Sequence, residues 1–284
     1  MTRTIAVGLG GASGAQALTW ACTEAEETGA RLMMLHACPS RSPLAAFTGE
    51  PPANRVELAD PVLAHAVAAT GTRLSGRRVL RILVGDPATT LTGAAVRADL
   101  PVIGAGHDDD IARRIMRQAP CPVVVARPSL DAPEAPFADH VVVAVDGGPS
   151  GRAALEFAFE CAEEHHLPIA AAHVSPDGRD DVLSEDTTRY TRTAVEPSAR
   201  TLLGAEVEPW RTRYPHVPVR RAIFGGAVAD GLVRAAAGAR LLVVGDKSRD
   251  VRAPMRTRDI PSALAHAAGC PVVTVPVDGR GKER

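Results

Sequence analysis

Short, continuous apolar runs alternate with longer amphipathic segments along the whole chain. In the second half these runs occupy residues 141–145, 169–174, 219–224, 241–244 and 272–275. They are too uniformly apolar for a sheet with one wet face, and they are typical of parallel strands covered by helices on both faces. Because strands that alternate with helices form right-handed βαβ units, the pattern predicts an α/β fold with a Rossmann-like, doubly wound sheet of flavodoxin-type strand order.

The first half of the chain repeats the second half, segment by segment and in the same order. The matching pairs are 5–9 with 141–145, 36–39 with 173–176, 85–88 with 225–228, 98–104 with 239–245, and 119–125 with 268–274. We therefore predict two tandem domains, 1–128 and 138–278, each with a five-stranded parallel sheet. Residues 129–137 are rich in proline and are predicted to be a semi-rigid linker. Exposed apolar edges at 123–125 and 272–275 are expected to pair, which would make the tandem an internal pseudo-dimer.

Composition narrows the classes of function. The 284-residue chain has a net charge of −1 and 3% aromatic residues, so it lacks the cationic surplus and the stacking rings of a nucleic-acid-binding protein. No apolar run reaches membrane-spanning length and no signal-peptide layout begins the sequence, so we expect a cytoplasmic protein that binds neither nucleic acid nor membrane. The five cysteines contain no Cys-x-x-Cys pair, and no metal site is predicted.

The predicted crevice lies where the first and fourth strands end, so the first turn carries the first candidates. Turn 8–14 approaches the Gly-x-Gly-x-x-Gly dinucleotide fingerprint, but Ser13 replaces the third glycine. The second strand ends near His36 and lacks the acidic residue that would hold a ribose, which argues against a nicotinamide or flavin enzyme. Ser13 also stands in a near match to a nucleophile elbow. Without a recognisable triad we interpret it as a helix N-cap and predict no catalytic residue.

His36 and His173 occupy the same position in the two repeats, at the end of a strand. They are either paired metal ligands or simply a position inherited twice. No second ligand stands near either histidine at a metal-binding spacing, so we favour inheritance.

Three features of the sequence resemble the universal stress protein family. They are the turn at 145–147, the helix start at 225–228, and the Cys-Pro-Val-Val runs that begin at Cys121 and Cys270. The resemblance covers nearly the whole chain, twice. It implies an ATP site built from an acid after the first strand, backbone after the second strand, and a Gly-x-x-Gly-(nine residues)-Gly-[Ser/Thr] loop after the fourth, where glycines let amides cradle phosphates. Mapped onto the second copy, these elements are Asp146 with Gly147, Val174, Gly225 and Gly245.

The phosphate loop departs from that family pattern in both copies. In the second copy only Gly245 of the three loop glycines is kept, with Ser248 and Arg258 at the other two positions. In the first copy, the segment from Gly104 to Cys121 is eight residues shorter than its counterpart from Gly245 to Cys270, and Gly10 takes the place of Asp146. We therefore expect the first copy to bind no adenine nucleotide.

Acidic residues occupy the start of the following helix in both copies, at Asp110 and Asp259, where a carboxylate competes with a phosphate for the positive helix end. The second-copy loop also gathers cations, namely Lys247, Arg249, Arg252, Arg256 and Arg258. These side chains are candidates for holding phosphates without a glycine nest. The alternative is a solvated charged loop, and the general behaviour of surface charges favours that alternative.

Three hypotheses of function follow. The first is a non-enzymatic stress-response or regulatory module with degenerate ATP-binding motifs in both halves, acting on an unknown protein partner. The second is an ATP- or AMP-binding protein acting through domain 2, with Asp146, Gly147, Val174, Gly225, Gly245, Lys247, Arg249 and Arg258 as site residues. The third, a slow ATPase or nucleotidyl transferase, has the least support because no general base stands out. A homo-oligomer is compatible with each of these hypotheses.

Overall fold

The computed structural model describes residues 2–10, 13–50, 60–71, 73–95, 97–106, 109–130, 132, 134–175, 183–184, 197–247 and 260–277. The chain divides into two compact units, Met1–Arg127 (unit 1) and Pro128–Arg284 (unit 2). Each unit is an α/β domain with a central parallel sheet, which confirms the predicted fold class. No helix of the described residues is long and apolar enough to cross a membrane.

Unit 1 follows the predicted alternation of strands and helices. Its elements are β1 (Thr4–Leu9), α1 (Gly14–Glu27), β2 (Arg31–Cys38), a short 3-10 helix (Pro43–Phe47), α2 (Pro61–Gly71), β3 (Arg78–Val84), α3 (Pro87–Ala95), β4 (Leu100–Gly104), α4 (Asp109–Gln118) and β5 (Val123–Ala126). The strand order is β3-β2-β1-β4-β5, and the neighbouring strands are parallel. The order reverses between β1 and β4, so their carboxyl ends frame a crevice.

Unit 2 repeats this plan and adds a short edge strand. Its elements are β6 (Val141–Ala144), α5 (Pro149–Glu164), β7 (Ile169–Ser175), β8 (Leu183–Ser184), α6 (Pro197–Arg213), β9 (Val219–Gly225), α7 (Val228–Ala235), β10 (Leu241–Asp246), α8 (Ile260–Ala267) and β11 (Val272–Pro276). The order β11-β10-β6-β7-β9 is parallel, and β8 joins β9 antiparallel. The five apolar runs coincide with the five parallel strands to within two residues at each end, whereas β8 has no such run and was not predicted.

The core of unit 2 extends into the segment predicted to be a linker. Phe137 is fully buried, and its ring meets that of Phe224 edge to face with 6.4 Å between centroids. The backbone N–H of Leu130 also donates to the carbonyl oxygen of Gly269 at 2.7 Å. Proline content indicated that this segment breaks regular structure, but it gave no sign of the buried aromatic ring that fixes its end to the sheet.

Ser13 corrects one detail of the sequence interpretation. It stands at the N-cap position of α1, as predicted, but its side chain makes no capping hydrogen bond. Its backbone carbonyl oxygen instead accepts the N–H of Ala17 at 3.2 Å, as in an ordinary first helical turn. The residue has α-helical dihedrals (φ −90°, ψ −9°) rather than the extended ones of a side-chain cap.

Candidate functional site

The crevice of unit 2 is a small cavity of about 110 Å³ at the carboxyl ends of β6, β7 and β10. Val145 and Asp146 follow β6, His173 and Val174 lie near the end of β7, and Lys247 follows β10. Apolar side chains from two helices complete the wall: Val228 and Leu232 of α7, and Ile260 of α8. Because parallel strands end at one edge of their sheet, residues far apart in sequence meet here.

Asp146 is the most highly connected side chain in this crevice. Its Oδ1 accepts the backbone N–H of Gly148 at 2.8 Å, and its Oδ2 accepts the Ser150 hydroxyl at 3.3 Å. The ammonium group of Lys247 forms an ion pair with the same Oδ2. Both side chains are partly buried, with 31% of Asp146 and 28% of Lys247 exposed.

These partners fix the charge of Asp146. Burial alone would raise the pKa of the carboxyl group, but the hydrogen bonds and charge of Lys247, together with the Gly148 N–H and the Ser150 hydroxyl, lower that pKa below its ordinary value. Asp146 is therefore ionised at neutral pH, and its charge is already matched by Lys247.

Two glycines near Asp146 are required by the backbone. Gly147 has φ +76°, a left-handed conformation that side chains rarely adopt, and it turns the chain from β6 into α5. A Cβ atom on Gly151, in the first turn of α5, would overlap Oδ1 of Asp146. The sequence therefore forms a turn in which the carboxylate rests on the start of the helix.

Gly245 has a packing role that does not depend on any ligand. A Cβ atom on this residue would overlap the backbone carbonyl group of Ser150, because the first turn of α5 lies directly on β10. Unit 1 has the same arrangement, with Gly104 against the carbonyl group of Ser13. Close approach of helix and strand is thus sufficient to explain why Gly245 alone remains of the three loop glycines.

The remaining residues predicted for this site are not all in one place. Val174 and Lys247 line the cavity, whereas Gly225 ends β9 outside its lining and accepts a hydrogen bond from Arg234 at 2.7 Å through its carbonyl oxygen. Arg249 and Arg258 fall outside the described residues, as do Ser248 and Asp259. In unit 1, the side chain of Asp110 is likewise outside what the structure describes.

His173 lines the cavity but was not among the predicted site residues. Its Nδ1 lies 2.8 Å from the carbonyl oxygen of Val145, and in unit 1 the Nδ1 of His36 lies 3.1 Å from that of Leu9. Since a carbonyl oxygen only accepts, each Nδ1 carries the hydrogen and ties the second strand to the end of the first. The repeat had matched the two histidines, and this match was the signal that could have placed them at the crevice.

Comparisons with known proteins agree with this architecture. The family model described as the universal stress protein family matches residues 1–127 and 138–276. A universal stress protein of Mycobacterium tuberculosis is 27% identical over 224 residues, which cover 75% of each chain. The crystal structure of a universal stress protein from Archaeoglobus fulgidus superposes with a TM-score of 0.66 at 13% identity over 97% of both chains.

A shorter universal stress protein, solved in complex with cAMP, matches 44% of this chain with a TM-score of 0.35 and 20% identity.

The two matches to the family model together span most of the sequence, one on each α/β unit. The chain therefore belongs to the universal stress protein family and carries two copies of its domain.

Proposed function

We propose that this chain is a non-enzymatic stress-response regulator whose units have both lost the family's usual mode of ATP binding. The observation that carries the proposal is the ion pair between Asp146 and Lys247. Both residues line the unit 2 crevice, whose cavity of about 110 Å³ is smaller than the ~300–1,000 Å³ of typical ligand pockets. A nucleotide therefore needs a rearrangement before it can enter.

The same residues argue against catalysis. A general base needs a free lone pair and a pKa near the working pH. The Asp146 carboxylate already accepts hydrogen bonds from Gly148, Ser150 and Lys247, and its pKa is lowered, so it is a weak base. We expect no ATP hydrolysis above background. Turnover that disappears in Asp146→Asn would contradict this expectation.

Weak binding of ATP or AMP by unit 2 is the second candidate, and the position of Lys247 favours it. The ammonium group lies at the crevice and can exchange the Asp146 carboxylate for a phosphate, as a point charge. Arg249 and Arg258 would supply further charge from the sequence that follows. Binding of this kind depends on side chains and is screened by salt, unlike a nest of backbone amides.

Titration with fluorescent ATP and AMP analogues distinguishes these candidates. If unit 2 binds through cations, affinity falls as ionic strength rises from about 10 mM to about 300 mM, where the screening length drops from about 30 Å to less than about 10 Å. The double change Lys247→Ala with Arg249→Ala then abolishes binding. As a matched control, Arg211→Ala with Arg213→Ala removes the same charge at the last turn of α6 and leaves binding intact. Tight, salt-insensitive binding that survives loss of Lys247 and Arg249 would refute both candidates.

A further inference from the structure

The crevice of unit 1 differs sharply in size from that of unit 2. Its cavity measures about 720 Å³, against about 110 Å³ in unit 2. It occupies the corresponding place, at the carboxyl ends of β1, β2 and β4 and against α1, α3 and α4. The larger volume falls within the range of small-molecule sites.

At two positions unit 1 has glycine where unit 2 has a charged side chain. Gly104 and Gly245 correspond, because each packs closely against the backbone carbonyl group of a serine at the start of a helix, Ser13 or Ser150. Counting on from these glycines, Gly106 stands in the place of Lys247. Leu9 and Val145 also correspond, because each lies at the end of a first strand beside the matching histidine, His36 or His173. The next residue is Gly10 in unit 1 and Asp146 in unit 2. Both members of the unit 2 ion pair are thus glycines in unit 1.

The described part of the unit 1 cavity lining is correspondingly neutral. None of the described residues that line it carries a charged side chain, and Leu91, Ile103 and Ile111 are among its apolar members. Ser13 and Gln16 contribute the polar side chains of this lining. A phosphate would leave water here without a cation from these walls to compensate it, whereas an apolar molecule would lose only unfavourable contact with water.

We propose that unit 1 carries a binding site for an uncharged, mainly apolar small molecule, with Gln16 as a hydrogen-bonding group of its lining. The site requires no nucleotide chemistry and is independent of the function proposed for unit 2. Unit 1 has neither member of the unit 2 ion pair, and the described lining of its crevice carries no charge.

N-phenyl-1-naphthylamine, an uncharged dye that fluoresces in apolar surroundings, is the probe. Added to the full chain, it should bind saturably with one site per chain, and millimolar AMP should not displace it. Ala37→Phe places a ring in the cavity from β2 and should weaken dye binding at least about tenfold. Ala15→Phe, at an exposed position of α1 outside the lining, is the matched control and should leave the affinity unchanged.

Gln16→Glu tests the neutral character of the site with little change of shape. A carboxylate in the lining should weaken dye binding, while Thr19→Glu, an equal charge at an exposed position on the same helix outside the lining, should not. Both glutamates lie on the surface of α1, so this pair remains informative if Ala37→Phe fails to fold. Absence of saturable dye binding, dye affinity unaffected by Ala37→Phe and Gln16→Glu, or displacement by AMP would each overturn the proposal.

Discussion

Replacing Gly245 with alanine separates a packing role from a ligand-binding role for this glycine. The added Cβ atom would overlap the carbonyl group of Ser150, which is backbone in the first turn of α5 and cannot rotate away. The helix must therefore lift from β10. Forced overpacking of a core costs about 1–3 kcal/mol, and a clash with backbone belongs at the upper end, so we expect unit 2 to lose about 3 kcal/mol.

Urea unfolding followed by tryptophan fluorescence measures this loss. Trp210 reports on unit 2 because it stacks on Phe159 with 5.9 Å between ring centroids, and a Trp20→Phe background removes the signal from unit 1. With a slope of about 2 kcal/mol per molar urea, the midpoint of the unit 2 transition should fall by about 1.5 M.

Gly204→Ala is the matched control for Gly245→Ala. Gly204 lies in α6, and its added Cβ would meet only the end of the Arg221 side chain, at 3.3 Å. Removing a glycine from a helix interior gains about 0.5–1 kcal/mol, so this variant should be as stable as the parent or slightly more stable. If Gly245→Ala left the midpoint unchanged and instead abolished nucleotide binding, the glycine would be kept for a ligand and our packing explanation would be wrong.

Three further predictions concern unit 2. Asp146→Asn should cost between about 1 and 3 kcal/mol at pH 7, because it leaves Lys247 unpaired in a partly buried site. Since the folded state lowers the pKa of Asp146, the contribution of its carboxylate to the free energy of unfolding is complete above the ordinary pKa of 3.8. That contribution is lost as pH falls through the lower pKa of the folded state. The urea midpoints of variant and parent should therefore converge in acid. Phe137→Ala should destabilise unit 2 by about 3–5 kcal/mol in the same assay, and a negligible loss would exclude the preceding segment from its core. Arg258→Gly with Asp259→Ser should strengthen nucleotide binding in titrations, and unchanged affinity would show that the Asp259 carboxylate does not compete with phosphate.

The sequence predicts the strands well because burial on both faces leaves a direct mark on composition. Most positions in the parallel strands of unit 2 are apolar, although β9 also contains Arg220 and Arg221, and the terminal run 272–275 matches β11 to one residue. The edge strand β8 has two residues and one neighbour, β9, so it needs no such run. Short-range patterns do not encode a pairing of this kind.

The sequence placed Asp146 and Lys247 at the crevice but not in contact. Lys247 was grouped with the arginines that follow it, because adjacent cations in a sequence suggest a shared role. In the fold it pairs with an acid that follows a different strand, β6. Gly245 was predicted from the family motif to bind phosphate, and its close approach to the Ser150 carbonyl group is a contact that the motif does not record.

The two units keep what their packing requires and differ where packing leaves freedom. Glycine against a helix-start carbonyl and histidine against the end of the first strand occur in both. The ion pair of unit 2 has no such constraint, but its two members depend on each other, because a partly buried charge without its partner is more costly than no charge. Gly10 and Gly106 in unit 1 are consistent with that dependence: both charges are absent together. The two crevices of this chain accordingly differ at this pair of positions, which holds an ion pair in unit 2 and two glycines in unit 1.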